Sequence, residues 1–413
     1  MDVVHERCCG LDIHKKLIVA CTIVFGSGSG QGPHRALRTF GTMTDDLQHL
    51  SDWLSEQGVT HVAMESTGSY WKPVFNVLED QFELVLVNAR HLQAVPGRKT
   101  DVKDAEWIAD LLRHGLLTPS CVPDRQQREL REAVRYRTSL VQERTAAANR
   151  LQKVLEGANI KLASVATDIL GRSGREMLEA LVAGQTDVTA LADLARGRLR
   201  DKLPALERAL AGRFGPHQRF LVAQILAHID FLDETLQRLD TEIEERERPF
   251  EAVLDRLDTI PGVARRVAEI IVAEVGPDVH RFPSPGHLAS WAGLCPGQDE
   301  SAGKRRSGKT RKGNRWLRTA LVQAAQAARR TKTYLAAQFR RLASRRGAKK
   351  AAVAVAHSIL RIVYHLLIDQ HPYEDLGELY FDNRQKDQVS RRLVRRLQRL
   401  GYAVHLEPKE SAA

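Results

Sequence analysis

Cysteine is scarce in this chain, and the few cysteines that occur form no recognisable pattern. There are five in 413 residues, and none stands in a C-x-x-C pair. An odd, unpatterned set argues against a disulfide framework and a zinc site, and it suits a reducing cytoplasm. The cysteines are Cys8, Cys9, Cys21, Cys121 and Cys295.

We expect no signal peptide, because no basic-then-apolar stretch opens the sequence, and no membrane span, because no long apolar segment is free of interruption. The apolar run at 17–25 is too short, and the stretch at 351–368 contains His357, Arg361 and His365 at helical spacing. We therefore predict a packed helix at 351–368, no membrane partner, and a cytoplasmic, nucleoid-associated protein. Aromatic residues make up only 6% of the chain, so stacking residues are few and composition does not favour RNA over DNA.

Positive charge, in contrast, is abundant and unevenly placed. The formal net charge is +11 and the isoelectric point is near 9.5, which favours a polyanionic partner such as nucleic acid over a merely soluble basic protein. Lysine and arginine residues cluster in three groups, at 304–318, 329–350 and 391–399. Glycines break the first group into a predicted flexible loop. This group supplies the predicted nucleic-acid-binding residues Lys304, Arg305, Arg306, Lys309, Arg311, Lys312, Arg315 and Arg318.

Four segments with different residue patterns follow one another along the chain. Strand-like and helix-like stretches alternate over 1–122, which predicts an α/β domain. Residues 123–252 carry long charged helices, and 171–201 reads as a loop or hinge. Residues 253–345 predict a mostly α-helical domain that opens with a helix, a Pro-Gly turn and a second helix, and 346–413 predict a basic helical extension.

One helix of the second segment has apolar residues at alternating spacings of three and four. This pattern indicates either a coiled-coil seam or an amphipathic helix packed within its own chain. The residues of the pattern are Val222, Ile225, Ile229, Leu232, Leu236, Leu239 and Ile243.

Four acidic residues stand where a metal site could form. Asp12 lies at the start of the first strand, Glu65 ends another strand, and Asp101 and Asp104 share one face of a helix N-terminus. Carboxylate oxygens suit Mg²⁺, with Mn²⁺ as an alternative ion, and phosphoryl transfer on DNA uses such an ion to neutralise the phosphate. The competing interpretation is that these residues are ordinary caps and surface acids.

The motifs around these acids resemble a bacterial insertion-sequence transposase family with an N-terminal DEDD domain. They are Gly10-Leu-Asp-Ile-His-Lys15, the stretch from Ala63 to Trp71, and Lys99-Thr-Asp-Val-Lys-Asp-Ala105. The segments 257–262, 288–296, 300–303 and 312–318 resemble the C-terminal serine transposase domain of the same family. The resemblance covers residues 8–120 and 254–340.

The resemblance implies a fold, a chemistry and partners. It implies a RuvC-like, RNase H-like first domain whose Asp12, Glu65, Asp101 and Asp104 bind Mg²⁺. It implies that Ser301 attacks the DNA phosphate and forms a phosphoserine link, in a site shared between subunits of a homo-oligomer, a dimer or tetramer. It also implies recombination of DNA guided by a structured bridge RNA.

Two departures from the family pattern affect these assignments. Ser301 is followed by Ala302 before Gly303, so Ser307 is a rival nucleophile, although Ser301 lies at the right distance after Pro296. The turn reads Pro-Gly-Val-Ala, which weakens its claim to a phosphate contact. The alternatives to a transposase are a metal-dependent Holliday-junction-type endonuclease without serine chemistry and a non-catalytic nucleic-acid-binding protein.

Overall fold

The structure is a computed structural model that describes residues 2–25, 32–66, 68–88, 101–297, 299–301 and 303–407. It separates into two compact units, with the division between Pro123 and Asp124. Each unit has its own hydrophobic clusters, and each is described by itself.

The first unit is built on a mixed five-stranded sheet. Its strands are β1 (Arg7–Ile13), β2 (Ile18–Phe25), β3 (Pro33–Phe40), β4 (His61–Glu65) and β5 (Glu83–Val87), and its helices are α1 (Thr44–Glu56), α2 (Trp71–Leu78) and α3 (Asp101–Arg113). The strand order is β3-β2-β1-β4-β5. Strands β1, β2 and β3 pair antiparallel, whereas β4 runs parallel to both β1 and β5. The predicted α/β character of this part of the chain is confirmed.

The two faces of this sheet are covered by different helices, because side chains alternate along a strand. On β1, Cys9, Leu11 and Ile13 belong to the cluster that also contains the apolar residues of α1 and α2. Cys8 belongs to the cluster formed with α3. Even-numbered residues of β1 therefore face α3.

The first half of the second unit consists of helices in the region predicted to be helical. They are α4 (Arg125–Gly157), α5 (Leu162–Val165), α6 (Arg172–Ala183), α7 (Val188–Asp193), α8 (Leu203–Leu210) and α9 (Pro216–Glu247). The loop or hinge predicted at 171–201 is wrong, because α6, α7 and a 3-10 helix at Gly197–Lys202 occupy it. Leu178, Leu181 and Leu191 of this stretch are buried in the local core, and their burial stabilises these helices. The glycines and charged residues of the stretch had favoured a loop.

Helices α4 and α9 lie side by side in opposite directions. Ion pairs join Arg137 to Asp240 and Arg144 to Asp233, so the residue number falls on one helix as it rises on the other. Leu232 and Leu236 of the apolar pattern pack against Leu140. The pattern thus packs against a helix of the same chain, which is the second of its two interpretations.

The second half of this unit contains the remaining elements. They are α10 (Glu251–Asp258), α11 (Arg265–Val275), α12 (Pro285–Trp291), β6 (Asp299–Ser301), β7 (Lys304–Ser307), α13 (Arg315–Ala328), α14 (Tyr334–Arg346), α15 (Ala348–Asp369), α16 (Tyr380–Arg384) and α17 (Lys386–Arg399). Among the described residues, α15 is the one helix long and apolar enough to cross a membrane. Its buried residues lie in the core of this unit, and the hydroxyl of Tyr364 donates to the carbonyl of Phe282 at 2.9 Å. This is the packed helix predicted at 351–368.

Helices α10 and α11 form the predicted pair around a Pro-Gly turn. Gly262 has a φ of +89°, and a Cβ at this position would come within 2.3 Å of the carbonyl oxygen of Ala324. The glycine therefore allows the turn to pack directly on α13. The backbone of this turn therefore contacts another helix of the same fold.

Candidate active site and nucleic-acid interface

Asp12 and Glu65 lie on neighbouring parallel strands, near the same edge of the sheet. The β1–β4 register pairs Leu11 with Met64, one residue before each acid. Ala63 of β4, two residues before Glu65, belongs to the cluster formed with α3. By alternation, both acids project from the face that α3 covers. Asp12 is the sixth of the seven residues of β1, not at the start of a strand as predicted.

Helix α3 approaches this face closely because β1 carries a glycine there. A Cβ on Gly10 would come within 2.3 Å of the carbonyl oxygen of Ala105 and 2.4 Å of the amide nitrogen of Ala109. The missing side chain thus lets the helix backbone rest on the strand. The first turn of the same helix carries Asp101 and Asp104, and this packing brings it to the edge where β1 and β4 end.

The electrostatics of Asp12 show that three of the predicted acids lie near one another. The Asp12 side chain is 15% exposed, and His14 Nε2 lies 3.1 Å from its carboxylate. Burial raises the pKa of Asp12, the His14 contact opposes that shift, and the negative charges of Asp104 and Glu65 raise the pKa further. A cation at this place would relieve the repulsion.

The donor chemistry of this face fits a hard divalent cation. Carboxylate oxygens are the ligands that Mg²⁺ takes, with water completing its coordination. Among the described side chains, no group of three or more His, Cys, Asp or Glu residues has the spacing of a formed metal site. The side chain of Asp101, predicted as the fourth ligand, lies outside the described residues.

The predicted nucleophile lies in a small β-hairpin of the second unit. Ser301 is the last residue of β6 and pairs with Lys304, the first residue of β7. The flexible loop predicted from the glycines is therefore wrong for residues 304–307, which form a strand. The side chains of Ser301, Arg305 and Arg306 lie outside the described residues.

The rival serine, Ser307, ends β7 and is half-buried. Its Oγ accepts a hydrogen bond from the backbone amide of Lys309 at 3.2 Å. A serine that caps the following turn in this way has an evident local structural role. This contact supports the preference for Ser301.

Two sequence motifs that flank the hairpin are in direct contact. A Cβ on Gly313 would come within 2.3 Å of the backbone nitrogen of Gly293, so the two backbones touch. Pro296 and Thr310 also form an isolated antiparallel bridge. These contacts join the segments 288–296 and 312–318 and fix both ends of the stretch that contains β6 and β7.

A buried polar network supports the start of α13, and sequence reasoning missed it. The Asn314 side chain caps the helix by accepting from the backbone amides of Trp316 and Leu317. Its amide group donates to Glu274 at 2.6 Å, and Glu274, 1% exposed, also receives two hydrogen bonds from Arg135 at 2.6 and 2.7 Å. Only the Gly-Asn pair before the helix hinted at a cap, because the partners are distant in sequence.

The predicted nucleic-acid-binding residues whose side chains are described lie at the surface. Arg318 is half-buried and the others are exposed; none forms an ion pair with another described side chain. They are Lys304, Lys309, Arg311, Lys312, Arg315 and Arg318. Their charge is therefore available to phosphates.

Part of this charge lines a cleft of about 1120 Å³ beside β7. The cleft combines Lys309 and Arg318 with Lys349 and Lys350 of α15. His357 also lines it, and its pKa is lowered by burial and then by the positive charge of Arg361. Four cations and a half-buried imidazole form a surface suited to a phosphate backbone.

Comparison with known proteins finds that both units match transposase family models. Residues 9–160 match a model of the DEDD transposase domain of IS110 elements, and residues 254–340 match the model described as "Transposase IS116/IS110/IS902 family".

Individual relatives carry related descriptions. A probable family 20 transposase of Pseudomonas aeruginosa is 28% identical over 319 residues, which are 74% of this chain and 83% of the relative. The transposase for insertion sequence element IS1111A of Coxiella burnetii is 25% identical over 320 residues, 76% of this chain and 79% of the relative. An uncharacterized 43.6 kDa protein of insertion element IS110 of Streptomyces coelicolor is 30% identical over 253 residues, 56% of this chain and 61% of the relative.

Proposed function

The chain is an insertion-sequence transposase of the IS110/IS116 family, and we propose that it cuts and rejoins DNA through a phosphoserine intermediate. In this proposal Ser301 is the nucleophile, and Asp12, Glu65, Asp101 and Asp104 hold Mg²⁺. The observation that carries the proposal is the placement of the acids: Asp12 and Glu65 lie near the ends of neighbouring parallel strands on the face against which α3 packs, and the first turn of α3 carries Asp101 and Asp104. Acids gathered at one strand edge, beneath a helix that brings two of them, form a site for a cation.

The acids and the serine perform different parts of the reaction. The bound ion would neutralise the scissile phosphate and lower the pKa of an attacking hydroxyl. The Ser301 oxygen forms a bond to phosphorus while one P–O bond of the DNA backbone breaks, and the departing oxygen takes up a proton. A hydroxyl of another strand then attacks the phosphoserine, releases the serine and reforms a phosphodiester without ATP.

The proposal extends to the fold of the first unit and to the assembly. The order and directions of its strands, with acids on the central strand and its parallel neighbour, support an RNase H-like fold of the RuvC type. Ser301 and the acids belong to separate units of the chain. We therefore propose a homo-oligomer, dimer or tetramer, in which one subunit's serine meets another subunit's acids.

A guide RNA is part of the same proposal. The exposed cations at 304–318 and the basic cleft beside β7 support binding of polyanions, and both DNA and RNA present phosphates. The family resemblance favours a structured bridge RNA that selects the DNA targets. Sequencing nucleic acid that copurifies with the full chain tests this part of the proposal.

The nucleophile is tested with end-labelled DNA on denaturing gels, with and without protease digestion of the reaction. We expect the wild type and Ser307→Ala to form a DNA adduct that protease shortens, and Ser301→Ala to form none. Free nicked products that persist in Ser301→Ala would instead identify a metal-dependent junction nuclease. Equal recombination by the wild type and Asp12→Ala would remove Asp12 from the site, and a wild type that binds DNA without cleaving or recombining it would be a non-catalytic binding protein.

A further inference from the structure

A second pocket of the helical unit, apart from the cleft beside β7, is lined by α4, α11 and α13. Its volume is about 360 Å³, which is at the lower end of the range for small-ligand pockets. Apolar side chains of Val134, Val267, Ile270 and Ala320 contribute to its wall. The other lining residues include four arginines, a tryptophan and neutral hydrogen-bonding groups: Arg135, Arg137, Arg266, Arg315, Trp316, Thr138, Gln142 and Gln323.

Three of the arginines are held in place by acids and still reach solvent. The side chains of Arg135, Arg137 and Arg266 are 39%, 21% and 40% exposed. A guanidinium has five N–H donors, and the hydrogen bonds to the acids use only some of them. The remaining donors are pre-organised for another anion. The acid partners are Glu274 for Arg135, Asp240 for Arg137, and Glu269 with Asp240 for Arg266.

The fourth arginine and the tryptophan are next to each other at the start of α13. The Arg315 guanidinium lies 4.5 Å from the centroid of the Trp316 ring. Arg315 is exposed and forms no ion pair with another described side chain. The guanidinium lies over the ring, so the two side chains together place a planar group and a cation at the pocket wall. Proteins that bind single-stranded nucleic acids use this combination for bases and phosphates.

We propose that this pocket receives one unstacked nucleotide of a single-stranded nucleic acid, with its base against Trp316 and its phosphate at the arginines. The pocket is large enough for a nucleotide and too small for a base-paired duplex. The inference rests on the proposed function in that nucleic acid is the partner. A displaced DNA strand and an RNA loop present the same nucleotide chemistry, and the experiment separates them.

The test measures binding of the full-length protein to three fluorescent probes by anisotropy. The probes are a DNA strand of about ten nucleotides, an RNA strand of the same sequence, and the DNA duplex. Gln323→Trp fills the pocket from an exposed position without removing a charge, and Trp316→Leu removes the stacking surface. Arg238→Gln on the exposed surface of α9 is the control for loss of a cation away from the pocket.

We expect Gln323→Trp and Trp316→Leu to weaken binding of one single-stranded probe by about tenfold and to leave duplex binding nearly unchanged. Arg238→Gln should bind all three probes as the wild type does. Loss confined to the DNA strand or to the RNA strand identifies the source of the nucleotide. Unchanged single-strand binding in Gln323→Trp, or equal loss for duplex and single strands, overturns the pocket assignment. A wild type that binds none of the probes overturns the proposed function itself.

Discussion

Two groups of buried or half-buried carboxylates differ in the charged side chains that surround them. In the second unit, Glu274 receives two hydrogen bonds from Arg135, and Glu269 receives two from Arg266. In the first unit, the charges that act on Asp12 are those of Asp104, Glu65 and His14. Acids matched by guanidinium groups hold helices together, whereas acids that repel one another at a strand edge favour a metal ion. The four predictions below test this difference.

The largest effect is expected from Asp12→Asn, which keeps the side-chain shape and removes one charge. We expect DNA recombination to fall by about a thousandfold, because a metal ligand is lost, while the melting temperature stays close to that of the wild type. Asp52→Asn on the exposed face of α1 is the matched control and should recombine DNA normally. Equal activity of both variants would remove Asp12 from the site.

In the group of acids paired with arginines, we expect a substitution to change the stability of the fold. Glu274→Gln leaves Arg135 without its carboxylate in a largely buried network, so we expect the free energy of unfolding to fall by about 3 kcal/mol. Chemical denaturation measures the change, and Glu234→Gln at an exposed position of α9 should change stability very little. If both variants are equally stable, the network does not hold α4, α11 and α13 together.

Gly10→Ala tests how α3 is placed over the acids. The added methyl group would lie 2.3 Å from a backbone oxygen, so the helix must shift, and we expect a loss of about 2 kcal/mol of unfolding free energy. Recombination should fall as well, because α3 carries Asp101 and Asp104. Gly157→Ala, where a Cβ meets nothing within 4 Å, is the control. A variant as stable as that control contradicts the close approach.

Glu247 of the second unit combines both situations, because it pairs with Arg265 and is repelled by Glu269, and it gives the free energy of unfolding a pH dependence. Burial raises its pKa to about 7, the negative charge of Glu269 adds to this, and Arg265 opposes it. A carboxyl whose folded-state pKa is raised loses stabilisation as pH rises from about 4.5 through 7. We expect Glu247→Gln to be more stable than the wild type by about 1 kcal/mol at pH 8 and to lack this decline. A decline of the same size in both proteins would assign it to another group.

Much of the first unit could be predicted from the sequence because its signals are local. The apolar β-branched run of β2 and the short apolar stretch of β4 are visible in the sequence, and Glu65 ends β4 as expected. Strand β1 was less evident, since Gly10 and Asp12 interrupt its apolar pattern. Gly10 allows α3 to approach this face of the strand, and Asp12 lies on the same face near the other acids. The sequence is least strand-like where the predicted site is built.

Other features depended on partners that are distant along the chain. Thr44 is of a residue type that commonly caps helices, but α1 includes it, and the amide of Met43 donates to the carboxylate of Asp46. Asn314 is of a residue type that commonly caps helices, but nothing near it indicates Glu274, forty residues earlier, as its partner. Tertiary packing decides such contacts, so local pattern could not place them.

The central claim is that the acids around Asp12 hold a divalent cation and that the arginine-matched acids do not. Isothermal titration of Mg²⁺ or Mn²⁺ into the wild type, Asp12→Asn and Glu269→Gln measures this directly. We expect binding in the wild type and Glu269→Gln, and binding weakened by about tenfold or more in Asp12→Asn. Equal affinity in Asp12→Asn and the wild type, or a loss confined to Glu269→Gln, would contradict the account.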